Sequence, residues 1–295
     1  MAQIETRGLT RTFGDVRAVD GVDLVVRPGG LTGFVGGNGA GKTTTMRMVM
    51  GVLRPDAGEV LWGDRPMTAA DRQRFGYMPE ERGLYPKQKV AEQLAYLGQL
   101  SGMSSAAAKS AAAEHLELFS LGDRAGERVE ALSLGNQQRV QIIAALMHGP
   151  TALILDEPFS GLDPAAVDAM ADILRDRAAS GVPVLFSSHQ LDLVERLCDS
   201  LIVLARGRVV AQGTVETLRA GGPTRYRLVT AGDVGWVRDQ RGIHVHDVDG
   251  GRALLELIDP GAEQAVLRAA VDRGPVLEFA RVVPPLSEIY REVTA

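Results

Sequence analysis

The chain has 295 residues, 45% of them hydrophobic, which is enough for a sizeable core and more than one average domain. Its net charge of -5 gives no global basic field of the kind that draws nucleic acid, so no nucleic-acid partner is expected. A single cysteine, Cys198, excludes an intrachain disulfide and suits a reducing compartment, and no apolar run approaches the roughly 18 residues that span a bilayer; a cytoplasmic chain is expected.

Residues 1–10 lack the apolar core of an export signal. Ile4 to Val26 alternates like a small antiparallel sheet, and Arg27-Pro28-Gly29-Gly30 turns the chain into Leu31–Val35, which reads as a buried strand. Next comes Gly36-Gly37-Asn38-Gly39-Ala40-Gly41-Lys42-Thr43-Thr44, a match to GxxxxGK[ST], opening a helix over Thr43 to Met50. Glycines let the backbone N–H groups curl toward phosphate oxygens, and the helix start adds the positive end of its dipole. Lys42 is one of four lysines (42, 87, 89 and 109) among 32 basic residues, and it supplies a compact point charge where an arginine fork is too broad. Thr43 offers a hydroxyl to Mg²⁺. A strand-loop-helix setting of this kind is what the motif requires of an ATP site.

Val90, Leu94 and Leu97, and then Ala106 to Phe119, take up helical spacing, predicting a helical insert over about 87–148 in an α/β domain. Ser133-Leu134-Gly135-Asn136-Gln137-Gln138 opens a helix running to about His148; Ser133 there is either a plain helix cap or part of an outward-facing anion site. The strand Ala152–Leu155 ends in Asp156 and Glu157. Beside a phosphate loop, Asp156 suits Mg²⁺, directly or through water, and Glu157 suits orienting and deprotonating an attacking water. A helix (Pro164–Ala179), strand (Val182–Ser187), helix (Gln190–Cys198) and strand (Leu201–Leu204) then alternate as a parallel sheet demands. Cys198 reads as a buried thiol on a packed helix face.

Ala220-Gly221-Gly222-Pro223 marks a boundary. Strands Tyr226–Val229, Ala253–Leu257 and Val276–Val283, with helices Ala262–Val271 and Leu286–Val293, predict a small α+β domain of ferredoxin-like content over 221–295.

Taken in order, the phosphate loop, the Leu132-Ser133-Leu134-Gly135-Asn136-Gln137 segment and the acidic strand end resemble the ATP-binding cassette (ABC) ATPase family over residues 1 to about 220. The resemblance implies the P-loop NTPase fold of ABC type: a mixed sheet core, a small antiparallel β subdomain and a helical subdomain. Ser160-Gly161-Leu162-Asp163 matches its D-loop, and Ser187-Ser188-His189 its switch histidine, implying a nucleotide contact for Asp163 and a γ-phosphate contact for His189. Phe13 stands where the family has an aromatic that stacks on adenine, with core packing as the rival role. Ser133, Gly135 and Asn136 are implied to complete the ATP site of a second copy, or of a paralogous cassette, bound head to tail.

Three departures stand out. Gly76-Tyr77-Met78-Pro79 is followed by Glu80 where the family usually has the glutamine that senses Mg²⁺ and contacts the membrane partner. Gly37 replaces a common proline, and Leu134 and Asn136 replace the commoner glycine and glutamine. Pro79 to Pro86 resembles an export-type subset, and 221–295, notably Pro285-Leu286-Ser287-Glu288-Ile289-Tyr290, resembles that subset's extra C-terminal domain. The resemblance therefore implies an ATPase subunit of a membrane exporter whose permease subunits are separate polypeptides. The rival is a soluble ABC ATPase of DNA repair or ribosomes, against which stand the missing coiled-coil insert, second cassette and basic surplus.

Overall fold

A computed structural model describes residues 2–81, 83–220, 224–282, 288, 290 and 291. It divides into two compact units between Val215 and Glu216.

The first unit opens as a hairpin, β1 (Ile4–Phe13) antiparallel to β2 (Val16–Val26), with Phe13 opposite Val16. β3 (Leu31–Val35) is buried at every residue and leads through the glycine loop into α1 (Lys42–Val49), one residue ahead of the expected helix start. β4 (Ala57–Trp62) returns to β1, and the two-residue β5 (Arg65–Pro66) completes a four-stranded antiparallel sheet in the order β2-β1-β4-β5. The short α2 (Ala69–Gln73) holds its N-terminus with a reciprocal cap between Thr68 and Asp71. Arg65 binds the same carboxyl and holds it far below the usual carboxylate range. β6 (Phe75–Met78) follows.

The helical insert is α3 (Val90–Leu100), α4 (Ser105–Leu118) and α5 (Leu134–Leu146). Alternation then carries the chain through β7 (Ala152–Leu155), α6 (Pro164–Ala179), β8 (Val184–Ser188), α7 (Leu191–Leu197), β9 (Ser200–Ala205) and β10 (Arg208–Thr214). These strands assemble with β3 and β6 as a six-stranded mixed sheet, β10-β9-β3-β8-β7-β6, parallel except for the β9–β10 hairpin. Val35 pairs with Ser188 and Leu155 with Phe186, so β3, β7 and β8 end along one edge. Loops leaving that edge are therefore neighbours, although the one after β3 is more than a hundred residues from those after β7 and β8 in sequence. Phe34, Ile154, Leu185 and Ile202 pack the sheet into a core with Met46, Met48 and Val49 of α1. Cys198, which closes α7, is buried, and that burial pushes its thiol pKa well up.

In the second unit, after α8 (Val215–Ala220), β11 (Arg225–Thr230), β12 (Ile243–Asp249), β13 (Arg252–Leu257) and β14 (Val276–Val282) form an antiparallel sheet in the order β12-β13-β11-β14. α9 (Ala262–Val271) connects β13 to β14, whereas β11 reaches β12 through only a 3-10 turn, Gly235–Asp239. This is the strand order of a ferredoxin-like sheet with its first helix reduced to one turn. Leu228, Leu255, Val237 and Val266 form its core. On the other face, buried Arg225 donates to Glu256 and Glu288, and Glu256 also bonds His246 at 2.6 Å. That bond to His246 is the main cause holding the Glu256 carboxyl below its ordinary value. The boundary at 221–223, and the Pro285–Tyr290 segment and last helix apart from residues 288, 290 and 291, lie outside the described residues.

Candidate functional site

The glycine loop is shaped by its neighbours. Gly41 has a φ of 106°, and a Cβ there would sit 2.4 Å from the Ala18 carbonyl; one on Gly36 would sit 2.5 Å from the carbonyl of Leu204. Only glycine fits either place. The loop thus wraps between β2 and β9 and delivers Lys42 to the start of α1. Lys42 is buried, and its Nζ donates to the carbonyls of Gly36 at 2.7 Å and Gly37 at 3.3 Å. An ammonium held inside its own loop waits where a phosphate oxygen can replace those carbonyls.

A cavity of about 350 Å³ covers this loop, lined by Gly37, Asn38, Gly39, Ala40, Gly41, Lys42, Thr43 and Thr44 together with Phe13, Ala18, Glu80, Asp156 and Glu157. Phe13 is 47% exposed at the tip of the β1–β2 hairpin, so core packing is not its role. Asp156 and Glu157 leave the end of β7, and Thr43 Oγ1 donates to Glu80 Oε2 at 3.3 Å. Asp156 is 1% exposed; its Oδ1 accepts from Ser187 Oγ at 2.5 Å, and its Oδ2 is buried with no hydrogen-bond partner. A buried carboxylate oxygen without a donor, in one cavity with a threonine hydroxyl and a second carboxylate, is a hard-oxygen set that fits Mg²⁺.

An adjoining cavity of about 600 Å³ joins Asn38, Glu80, Glu157 and His189 to Glu81, Gln138 and Ser160. His189 Nδ1 lies 3.0 Å from both carboxylate oxygens of Glu157. Glu157 itself has a φ of 51°, an uncommon backbone for a non-glycine residue, and two side chains fix it. Ser187 Oγ accepts from its N–H at 2.8 Å, and Gln138 Nε2 donates to its carbonyl at 2.8 Å. Ser187 and Gln138 stand within the histidine and serine motifs of the sequence, whose pattern assigns neither of them this role. A buried polar residue inside an apolar strand, as Ser187 is in β8, was the available signal.

The third group of expected residues lies apart. Ser133 caps α5, accepting from Asn136 N–H at 3.3 Å, and it is exposed. Gly135 and Gly161 are close neighbours, since a Cβ on Gly135 would lie 3.0 Å from the Gly161 carbonyl. Asp163 caps α6 through Ala166 N–H at 2.8 Å. Among the described residues, none of Ser133, Gly135, Asn136 or Asp163 lines either cavity around Lys42. The fold of one chain brings together the loop, the acids and His189, and leaves the serine-bearing turn off the lining of both cavities.

The geometry agrees with comparisons to known proteins. A family profile described as ABC transporter matches residues 19–160, and one described as ATP-binding protein DrrA1-3-like, C-terminal domain, matches residues 213–294. The uncharacterized ABC transporter ATP-binding protein YhaQ of Bacillus subtilis (strain 168) is 39% identical over 285 residues, covering 96% of each chain. The Nod factor export ATP-binding protein I of Burkholderia lata is 38% identical over 74% of this chain and 73% of its own. A solved ATP-binding subunit of an ABC transporter superposes with a TM-score of 0.67 at 32% identity, over 74% of this chain and 92% of that one. With its phosphate loop, acidic strand end and histidine on one sheet edge, and with a relative matched along nearly its whole length, the chain belongs to the ABC transporter ATP-binding proteins, the ATPase subunits of membrane transporters.

Proposed function

We propose that the chain is the ATP-hydrolysing subunit of an exporter, that residues 1–220 are its cassette and 221–295 an accessory domain, and that two copies clasp two ATP molecules head to tail. The observation that carries this reading is the division of the site. Lys42, Asp156, Glu157 and His189 converge within one chain, while Ser133, Gly135, Asn136 and Asp163 stay out of that cavity. A half-site of this kind is completed by a second copy whose Ser133 hydroxyl and α5 N-terminus face the γ-phosphate.

In the completed site Gly36 to Thr44 cradle the phosphates, and Lys42 exchanges its loop carbonyls for their oxygens. Phe13 offers its ring to adenine. Thr43, Asp156 and Glu80 are the residues that would hold Mg²⁺. When bound, the ion neutralises charge on the triphosphate. Glu157 orients a water and takes its proton as the water oxygen bonds to the γ-phosphorus and the bond to the β-bridging oxygen breaks, giving ADP and phosphate. His189 holds the Glu157 carboxylate and reaches the γ-phosphate. Loss of that phosphate removes what joins the two chains, so hydrolysis becomes separation.

Direction of transport follows the export-named relative and the DrrA-like C-terminal match. No helix among the described residues is long and apolar enough to cross a membrane. In this reading the pathway is formed by separate permease subunits, and the chain works at the inner membrane face. A groove of about 390 Å³ between the end of β6 and helices α3 and α5, lined by Tyr77, Met78, Pro79, Leu84, Leu97 and Leu100, suits an apolar permease segment. Its lining residue Pro79 precedes Glu80 of the ATP cavity, so a permease segment in this groove would share a loop with the ATP site. Co-purification in detergent with a multi-span protein, lost on replacing Leu97 and Leu100 by Glu, tests the transporter reading. Retained partner binding in that double variant would place the permease elsewhere.

A further inference from the structure

We infer that Arg11 is a positioning residue for the nucleotide base, a brace that holds Phe13 flat against the cavity; this rests on the reading of Phe13 as the adenine platform. The two residues are i and i+2 on β1, close to the turn into β2. The Arg11 guanidinium carbon lies 5.0 Å from the centroid of the Phe13 ring. Phe13 lines the cavity over the phosphate loop, and Arg11 does not. The cation therefore backs the ring, and the opposite face is the one left for a ligand.

Arg11 is itself anchored. Its Nη1 donates to Asp56 Oδ1 at 2.7 Å and to the Arg54 carbonyl at 3.2 Å. Asp56 Oδ2 accepts from Thr12 N–H at 2.8 Å, and the Asp56 backbone N–H donates to Thr10 O at 2.9 Å, so residue 56 is tied through its side chain and its backbone to the residues on either side of Arg11. The phenyl is 47% exposed beside the Gly14 turn, so nearly half of its surface has no protein packing to fix its plane. Two consequences follow from the brace. The ring loses less freedom when a base stacks on it, because its orientation is set beforehand. A cation on the rear face also draws π density away from the front, which favours stacking by an electron-rich purine.

The test is calorimetric titration of the full chain with Mg²⁺-ADP and, separately, with Mg²⁺-pyrophosphate, which lacks the base and ribose. Arg11→Met, which keeps the apolar stem, is expected to weaken ADP about three- to fivefold, the size of an exposed cation–π contact, and to leave pyrophosphate unchanged. Arg11→Lys, which keeps a cation in reach, loses less. Phe13→Ala weakens ADP and spares pyrophosphate. If Phe13→Ala weakens ADP while Arg11→Met binds like the parent, the brace is wrong and the platform stands. If Arg11→Met weakens both ligands equally, the residue acts through the fold of the hairpin and the inference fails. If neither variant changes ADP binding, the platform fails and the brace with it.

Discussion

The imidazole of His189 and the carboxylate of Glu157 face each other at 3.0 Å, Nδ1 lying equidistant from both carboxylate oxygens. One comes from the loop after β8 and the other from the end of β7, adjacent parallel strands whose register places Leu155 beside Phe186. The pair fixes the carboxylate, and it makes the two residues interdependent. Glu157→Gln is expected to keep ATP binding and lower turnover by about 10²–10⁴, the usual contribution of a general base. His189→Ala is expected to lower turnover as well, and the double variant to lose much less than the product of the two, which steady-state phosphate release measures directly.

Ser187 ties the two acids together, donating to Asp156 Oδ1 and accepting from Glu157 N–H. It is wholly buried, so Ser187→Ala leaves two polar groups without their partner. We expect a loss of about 1–3 kcal/mol in stability by urea unfolding and a drop of about ten- to hundredfold in turnover with nucleotide affinity little changed. A turnover drop without a stability change would mean that water takes over both bonds.

Glu80 adds a third carboxylate to a cavity whose lining has Lys42 as its one side-chain cation among the described residues. ATP without a divalent ion must enter against that charge. Glu80→Gln is expected to strengthen metal-free ATP binding by about threefold or more and to raise the Mg²⁺ concentration needed for half-maximal hydrolysis. Fluorescence titration in chelator and in Mg²⁺ separates the two effects.

The second unit carries a pH-dependent contribution. Glu256, held by His246 and Arg225, has a carboxyl pKa below the ordinary value of 4.5. A depressed folded pKa means that the unfolded chain takes up the proton first, so the stability is present above about pH 4.5 and is lost as the pH falls through the folded value. The stability difference between the parent and Glu256→Gln is expected to shrink as the pH falls from about 6 to about 3.5. A difference that does not vary with pH over that range would contradict the assignment.

Much of the fold and most of the candidate site are legible in the sequence, for a physical reason. Leu31–Val35, Ala152–Leu155 and Pro164–Ala179 have the bounds expected of them, because apolar runs and helix periods are local signals. The phosphate loop is local too, since its glycines answer to backbone geometry. Strands β4, β10 and β12 were not anticipated. β10 and β12 mix apolar with polar or charged residues over only seven positions each, too short a signal alone, and they are fixed as strands by pairing with a neighbour, as Val209 does with Leu204 and His244 with Glu256. The bonds of Ser187 and Gln138 to Glu157 were illegible as well, because they join residues 30 and 19 positions away that only the sheet brings together.

Light scattering of the Glu157→Gln chain with Mg²⁺-ATP measures the shared site most directly. A mass of twice 31.5 kDa with ATP, reverting to 31.5 kDa with ADP and abolished by Ser133→Arg on the exposed turn, is the expected result. A chain that binds ATP yet stays at 31.5 kDa at high concentration would contradict it.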